Sequence, residues 1–464
     1  MKKLLSLILV ALMVLPFGML ASVGVSAADQ VLYVKDGGTG DGSTADNALG
    51  SLDSANQMAA QLPGDVTIKL VGAVTLNGAD ETLFPSNTYK APAHKNKITI
   101  AGNDASAKLV AKTDATARYY ILGGETIIKD LTIEIDGTKV LCIVTDLHNF
   151  TVDTGVSISN PNAATETISV YGAVTSTYAN SPYYNADTKI HTANPTITIK
   201  SGYFKQVVGY IGNTSNKHLG VNLDGKVTIN ISGADTYVYQ AYPVCNGYNT
   251  VRDCEITLDG GIIGRFVGAV DRKYTAGIVK YGAAGVTGTY TLNLTKNFDL
   301  SKQDALVGEE STGEFIHALC GATANKDYKG ALDDTGLGTY ILKVDNEIAD
   351  AVKAETVKIN KASFDSIQKA DGTELEPTAA PETTAAPETT AAPETTKAPE
   401  TTKAPSTTKA PETTKAPDTT NAPDTTPTDD AEGGFPVWII VVIIVVIIGA
   451  GVAAVIIIKN KKKD

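Results

Sequence analysis

An internal repeat of short β-strand patterns is the feature that most constrains the fold of this chain. Two thirteen-residue segments, ITIKSGYFKQVVG from Ile197 and ITLDGGIIGRFVG from Ile256, carry glycine at matching positions, and INISGADTYVYQA from Ile229 is a looser copy. Repeats spaced roughly 25–30 residues apart indicate a solenoid, in which each repeat buries its apolar face against its neighbours.

A second echo pairs KDLTIEIDG (residues 129–137) with RDCEITLDG (residues 252–260). Successive side chains of a strand point to opposite faces, so the alternation predicts Leu131, Ile133 and Ile135 inside and the residues between them outside. Cysteine 254 aligns with position 131 and is expected to be a buried apolar side chain.

The opening of the chain has a strand, an Asp/Gly-rich loop (residues 33–43), a helix-compatible stretch (residues 52–62) and a strand (residues 66–70). This order resembles the start of right-handed parallel β-helix proteins of the pectate-lyase-like class, over roughly residues 31–300. The fold class predicted is therefore all-β, a right-handed parallel β-helix, with a string of β-sandwich domains as the alternative. Periodicity weakens over residues 301–376, which are interpreted as a C-terminal cap or a small β-rich subdomain.

The two ends of the chain predict export and attachment to a membrane. Residues 1–27 have two lysines, an apolar stretch and a small-residue cleavage pattern, as in a signal peptide, which leaves an ectodomain that begins at residue 28. Residues 435–458 are apolar over about 30 Å of helix, and the lysine-rich tail 459–464 marks the cytoplasmic side. The prediction is a single-pass type I protein of a cell membrane.

Residues 377–434 contain a proline every six residues and nothing apolar larger than alanine over most of their length. Such a segment cannot offset its ordering entropy, so a disordered Pro/Thr/Glu stalk is predicted. The stalk resembles the wall-spanning linkers of Gram-positive surface proteins, although no LPxTG motif stands before the apolar segment. This resemblance implies a Gram-positive cell-surface location.

Candidate catalytic residues come partly from the resemblance, because pectate-lyase-like enzymes cleave acidic polysaccharides with calcium-binding carboxylates and an Arg or Lys base, or hydrolyse glycosidic bonds with two carboxylates. Asp130 and Asp253 occupy matching positions in the second echo, which favours a structural role for both. Asp271, Arg272 and Lys273 are not repeated, and are therefore the leading catalytic or ligand-contact candidates, with an ordinary solvated loop as the alternative.

Metal and disulfide chemistry have weaker signals. Asp36 and Asp41 lie close together among glycines and form a candidate calcium loop, but they lack the full ligand spacing, so a tight turn is the favoured interpretation. The five histidines show no metal-ligand spacing, and no metal site is predicted. A disulfide between Cys245 and Cys254 is left open.

Tyrosines are the most abundant aromatic residues and form clusters that a repeating fold aligns into a ladder on which sugars or peptides stack. The candidate ligand-binding tyrosines are Tyr203, Tyr210, Tyr237, Tyr239 and Tyr242. The net charge of −12 argues against nucleic acid or an anionic polysaccharide as partner. The function predicted is non-catalytic, adhesin-like binding of an extracellular glycan or surface protein. A membrane-tethered polysaccharide lyase or glycoside hydrolase and a structural surface-layer or spacer protein are the alternatives.

Overall fold

Parallel β-strands dominate the computed structural model. It describes residues 30–76, 88–113, 118–161, 168–174, 178–211, 222–244, 249–269, 285–309, 316–321 and 338–376. The chain divides into two compact units, Met1–Ala386 and Pro387–Asp464, and all of the described residues belong to the first.

Fifteen strands form the largest sheet, in which the pairs β14–β15 and β28–β29 are antiparallel and the other pairs are parallel. Its main path is β1 (Gln30–Val34), β2 (Val66–Leu70), β5 (Ile98–Gly102), β8 (Thr126–Lys129), β11 (Phe150–Val152), β16 (Thr196–Ile199), β18 (Asn222–Ser232), β20 (Thr250–Asp259), β23 (Thr289–Leu294), β26 (Thr339–Val344), β28 (Ser366–Lys369) and β29 (Glu374–Glu376). Three short strands attach to this path: β14 (Tyr184–Asn185), β15 (Ile190–His191) and β22 (Gly285–Val286).

The ten-stranded sheet is parallel except at the pair β24–β25. It contains, in spatial order, β24 (Gly308–Glu309), β25 (Ile316–Cys320), β21 (Ile262–Val267), β19 (Thr236–Tyr242), β17 (Gly202–Ile211), β13 (Ile168–Ala173), β10 (Leu141–Val144), β7 (Arg118–Ile121) and β4 (Thr88–Lys90), with β27 (Ile359–Asn360) beside β25. The four-stranded parallel sheet contains β12 (Ser157–Ser159), β9 (Thr132–Asp136), β6 (Lys108–Lys112) and β3 (Ala73–Thr75).

From β2 to β13 the chain visits the three sheets in a fixed order. Strands β5, β6 and β7 lie in the fifteen-, four- and ten-stranded sheets, and β8–β10 and β11–β13 repeat that order. Each strand therefore pairs with the strand one round earlier, and the loops that follow equivalent strands lie side by side.

Helices are few in the described residues: α1 (Leu52–Gln61), α2 (Ala349–Ala354) and 3-10 turns at Tyr178–Asn180, Leu300–Lys302, Asn346–Ile348 and Lys361–Ser363. Ser51 caps α1 by accepting a hydrogen bond from the Ser54 amide at 3.1 Å. Buried residues at helical spacing, including Leu52, Ala55 and Ala59, turn one face of α1 towards β1 and β2. The helix predicted within residues 52–62 is confirmed.

The thirteen-residue repeats lie on adjacent strands. Ile197 of β16, Ile229 of β18 and Ile256 of β20 are direct register partners, and all three are fully buried. The predicted inward face of residues 131–135 is confirmed too, since Ile133 and Ile135 are fully buried.

The second echo has a different meaning from the one expected. Residues 132–136 form β9 of the four-stranded sheet, whereas Thr250–Asp259 form β20 of the fifteen-stranded sheet. Asp130 and Asp253 are therefore not equivalent positions of one repeat. The prediction was wrong because the alternation of apolar and polar residues shows only which side chains point inward. Every half-buried strand has that alternation, whichever sheet it belongs to.

Both faces of the ten-stranded sheet are apolar around its middle strands. The four residues of β10, Leu-Cys-Ile-Val, are all buried. Leu141 and Ile143 belong to the main core, while Cys142 and Val144 belong to a second cluster on the opposite face, with Tyr171. A parallel strand buried on both faces has a continuous apolar sequence, as this one does.

The all-β, mainly parallel architecture predicted from the sequence is confirmed, and antiparallel β-sandwiches are not what the described strands form. No helix within the described residues is long and apolar enough to cross a membrane. The predicted signal peptide (1–27), stalk (377–434), transmembrane helix (435–458) and tail (459–464) lie outside the described residues.

Candidate functional site

A cleft of about 740 Å³ opens where three neighbouring strands of the ten-stranded sheet end. The loops that follow β4, β7 and β10 form its floor and walls, together with residues 180–183 and 193–194. We call it the Asp146 cleft; its polar lining includes Lys90, His94, Glu125, Asp146, His148 and Tyr183. Its volume lies within the range of small-molecule binding sites, roughly 300–1,000 Å³.

Backbone hydrogen bonds hold these loops in a stack. The amide of Ala91 donates to the carbonyl of Ile121 at 2.9 Å, and the amide of Leu122 donates to Val144 at 2.9 Å. The ladder of the sheet thus continues past the ends of its strands, and the cleft has a rigid base.

Two glycines allow the first two loops to approach each other. A Cβ on Gly123 would lie 1.9 Å from the carbonyl oxygen of Pro92, and one on Gly124 would lie 2.6 Å from ring atoms of His94. Because no side chain fits at either position, Gly123 and Gly124 set the place of the His94 ring.

The residue that names the cleft sits in a strained turn directly after β10. Asp146 and Leu147 both have positive φ, +49° and +66°, and the His148 amide closes the turn on the Thr145 carbonyl at 3.0 Å. Turns of this shape usually carry asparagine or glycine, and a leucine in left-handed backbone costs about 1–2 kcal/mol. Burial of the Leu147 side chain in the main core, with 3 % exposed, opposes that strain.

The turn leaves Asp146 nearly buried, with 3 % of its surface exposed. Its Oδ1 atom has no hydrogen-bond partner among the described residues. Burial raises the pKa of Asp146 to about 6, against the opposing influence of Lys90 and a hydrogen bond with Ser181. A carboxyl group with this pKa changes charge close to neutral pH.

Beside Asp146, a histidine and a tyrosine form a hydrogen-bonded pair. The His148 Nδ1 atom and the Tyr183 hydroxyl are 2.9 Å apart, and the two rings meet edge to face with centroids 5.3 Å apart. Burial, with the nearby His94 and Lys90, lowers the pKa of His148 to about 4, so its ring is neutral at pH 7. Burial first, and then the carboxylate of Asp146, raises the pKa of Tyr183.

His94 completes the wall of the cleft. Its Nδ1 atom lies 2.7 Å from the carbonyl oxygen of Asn96, which accepts a hydrogen bond and therefore fixes the proton on Nδ1. Burial lowers the pKa of His94 as well. Lys90, Lys95 and Glu125 are exposed at the rim of the cleft.

In chemical terms the cleft can form directional hydrogen bonds with a polar ligand and can exchange one proton near pH 6. Among the described residues, no group of three or more His, Cys, Asp and Glu side chains is placed to hold a metal ion.

The tyrosines predicted to bind a ligand do not make a flat surface. Tyr203 of β17 and Tyr237 of β19 are register partners whose rings stack 4.1 Å apart with an interplanar angle of 7°. Each ring thus covers a face of the other. The Tyr237 hydroxyl would lie 2.0 Å from a Cβ on Gly264, so backbone lies against that ring too.

The remaining tyrosines of that set are buried or form hydrogen bonds with other side chains. Tyr210 and Tyr242 are fully buried, Tyr210 against the Nδ1 atom of His191 at 2.7 Å. Tyr239 accepts a hydrogen bond from Arg265 at 3.1 Å. The expected ladder thus forms in part. The rings of Tyr203 and Tyr237 stack on each other, and a ligand from solvent cannot reach the buried rings of Tyr210 and Tyr242.

The two predicted acidic sites have different outcomes. Asp271, Arg272 and Lys273 lie outside the described residues. In the candidate calcium loop, Asp36 accepts a hydrogen bond from the Thr75 amide at 2.9 Å, and Asp41 accepts from Ser43 and Asn47. The hydrogen bonds from Ser43 lower the pKa of Asp41. Both carboxylates thus tie the loop together, as expected for a tight turn.

Other carboxylates bridge neighbouring strands. Glu255 contacts Lys226 and accepts from Asn293 at 2.9 Å. Asp253 accepts from the Thr289 amide at 2.9 Å. The contact of Asp253 supports the structural role expected for it, although the two segments used to argue that role lie in different sheets.

The residues of the Asp146 cleft were missed at the level of sequence. The available signal was the polar run Thr-Asp-Leu-His (residues 145–148), which directly follows the apolar strand β10 and has no copy elsewhere in the chain. Cys254 is buried as expected. Cys245, its possible disulfide partner, lies outside the described residues.

No protein-family model, curated protein or solved structure matches this chain. The cleft is therefore interpreted from its own geometry.

Proposed function

We propose that this protein is an extracellular binding module that holds a glycan in the Asp146 cleft. The observation that carries the proposal is the nearly buried Asp146 carboxyl group, whose Oδ1 atom lacks a hydrogen-bond partner among the described residues. Buried polar groups normally have partners, and exceptions mark binding or reactive sites. The hydroxyl groups of a sugar are donors of the kind this carboxyl group lacks.

The shape of the site favours a glycan over a protein partner. A protein interface of ordinary size needs about 800 Å² on each side, usually with aromatic anchors. The tyrosines that would supply such anchors are stacked on one another or buried. A concave site lined with polar side chains suits a short oligosaccharide better.

We further propose a right-handed parallel β-helix for the ectodomain, of the kind found in pectate-lyase-like proteins. The rotation of the chain through three parallel sheets supports this fold. The proposal includes a Gram-positive cell surface, where a type I membrane helix and a Pro/Thr-rich stalk display the ectodomain after removal of the signal peptide. Those segments rest on sequence composition.

The binding proposal is tested with the full-length protein purified in detergent and titrated by calorimetry with neutral hexasaccharides: cello-, xylo-, malto- and mannohexaose. We expect one of them to bind at pH 7.5 and Asp146→Asn to weaken that binding at least tenfold, because an amide offers one acceptor fewer than a carboxylate. Asp304→Asn, at an exposed carboxyl outside the cleft, is the matched control and should bind as the unaltered protein does.

A second arm separates the cleft from the tyrosines. Tyr239→Phe removes only the hydroxyl that contacts Arg265, and binding should persist. If none of the hexasaccharides binds, or if Asp146→Asn binds equally well, the glycan-binding proposal is wrong, and a structural surface-layer role becomes the better explanation.

One observation favours a catalytic alternative, a polysaccharide lyase or glycoside hydrolase. Asp146 has its pKa raised to about 6, where a carboxylic acid serves well as a proton donor. The readout is release of new reducing or unsaturated ends from soluble polysaccharides at pH 5.5, over a day. Sustained release that Asp146→Asn abolishes would make the cleft an active site; its absence leaves the binding function.

A further inference from the structure

We propose that the Asp146 cleft releases one proton to the medium when it binds its ligand, so that a glycan is held tightly when the Asp146 carboxyl group is ionised and is released as the medium becomes acidic. This inference rests on the proposed function and specifies how that same site is regulated. It follows from the position of one carboxyl group and from the groups that surround it.

The first step concerns the surroundings of Asp146 in the free protein. The side chain is 3 % exposed, and the turn that carries it leaves one oxygen atom without a partner in the described chain. An ionised carboxylate in that position has a buried oxygen atom without a donor, which costs more free energy than the same arrangement of a neutral carboxylic acid. The free cleft consequently favours the protonated form, in agreement with the pKa of about 6.

The second step concerns the other titratable groups around the cleft. Lys90 at the end of β4 and Lys95 are exposed at the rim of the cleft. Burial lowers the pKa of both His94 and His148, that of His148 to about 4, and it raises the pKa of Tyr183. Glu125 is exposed at the rim, where water screens its charge. Asp146 is thus the buried carboxyl group of the cleft, and burial raises its pKa into the range between pH 5 and pH 7.

The third step is linkage between ligand and proton. A sugar hydroxyl that donates to the carboxylate forms a charge-assisted hydrogen bond, roughly twice as strong as a neutral one. The bound ligand thus stabilises the ionised form and lowers the pKa of Asp146. If that pKa falls from about 6 towards an ordinary value of about 3.9, affinity drops about tenfold between pH 7 and pH 5.

Calorimetry at pH 7, 6 and 5 tests this with the hexasaccharide that binds best and with full-length protein in detergent. The expected dissociation constant rises about tenfold from pH 7 to pH 5, and binding at pH 5 releases a proton, which buffers of different ionisation enthalpy detect. Asp146→Asn should bind more weakly and without dependence on pH. Asp304→Asn should keep the full pH dependence.

The outcomes distinguish this inference from the binding proposal. Binding that is abolished by Asp146→Asn but is equal at pH 7 and pH 5 overturns the proton exchange and leaves the glycan site intact. Binding that strengthens in acid overturns it as well, because the neutral acid would then be the form that holds the ligand. Failure of all hexasaccharides to bind removes both proposals together.

Discussion

At the scale of single residues, Asp146 shows how burial changes the chemistry of an ordinary side chain. Its carboxyl group sits at 3 % exposure in a turn with two consecutive positive φ angles. Strain and desolvation both cost free energy, and the packing of the neighbouring Leu147 supports the arrangement. Such a combination is common at functional sites and unusual in turns that only reverse the chain.

Replacing this residue should make the protein more stable at neutral pH. The folded-state pKa of Asp146 is raised, so the native state binds more protons than the unfolded one between about pH 4 and pH 6, and stability falls as pH rises through that window. Asparagine lacks this penalty. The stability of Asp146→Asn relative to the unaltered protein should therefore improve by about 2 kcal/mol from pH 4 to pH 7.

Urea unfolding at the two pH values measures this difference. Asp304→Asn, at an exposed position, should show no such trend. A difference for Asp146→Asn that stayed constant with pH would mean that the carboxyl group is not desolvated.

The three described cysteines give a second prediction at this scale. Cys142, Cys254 and Cys320 are buried free thiols, and burial raises the pKa of each, that of Cys142 to about 12. Because the thiolate is the reactive form, they should resist iodoacetamide in the native state. In a Cys245→Ser background, mass spectrometry should find no label at pH 8 without denaturant and three labels in 6 M guanidinium.

At the scale of secondary structure elements, the register of parallel strands is the main source of order. Ile197, Ile229 and Ile256 form a buried column across β16, β18 and β20. The next position along these strands forms an outer column of Thr198, Asn230 and Thr257, in which the Asn230 side chain donates to Thr198 at 3.3 Å. Residues that are adjacent along a strand thus have different environments: one side chain packs in the core and the next is partly exposed to solvent.

Substitution of adjacent residues tests this division. Ile229→Ala should cost about 2–5 kcal/mol of unfolding free energy, because it leaves a cavity in the middle of a buried column. Asn230→Ala removes a partly exposed hydrogen bond of about 1 kcal/mol or less. Urea unfolding of the two variants gives the comparison, and equal losses would contradict the assigned inward and outward faces.

At the scale of the whole molecule, one scaffold of mainly parallel strands carries loops that differ in sequence. The chain passes through the same three sheets in turn from β5 to β13, and the loops after β4, β7 and β10 gather on one side. Some of the other described surface charges form ion pairs between neighbouring strands and turns, such as Lys108 with Glu134 at 2.7 Å and Lys200 with Asp153 at 3.1 Å. The scaffold is thus built from strand pairings that recur from one turn of the chain to the next, whereas the cleft is built from loop residues that do not recur.

The predicted attachment to a membrane is tested on the whole chain. Deletion of residues 437–464 should send the protein into the medium, and Ile447→Asp should weaken retention, since a central aspartate costs about 3 kcal/mol on insertion scales. Ile341→Asp, on a strand of the ectodomain at a partly exposed position, is the control for a general effect of a new charge. Cell fractionation with an antibody to the ectodomain gives the result, and wall-bound truncated protein would contradict membrane anchorage.

The sequence by itself determined the strand content, the alternation of inner and outer residues and the pairing of the three thirteen-residue repeats. These properties are local: period-two alternation depends only on strand geometry, and similar segments stack because they bury similar faces. The same locality explains the misaligned second echo, since β9 and β20 share a pattern while they belong to different sheets.

Only the tertiary structure decided where the candidate site lies. Lys90, Gly124, Asp146 and Tyr183 are far apart in sequence, and the order of strands in the ten-stranded sheet is what brings their loops to one cleft. The raised pKa of Asp146 is likewise a property of its surroundings, because desolvation depends on atoms contributed by distant segments. The tyrosines show the converse: their clustering was visible in the sequence, but whether their rings faced a ligand or one another depended on register.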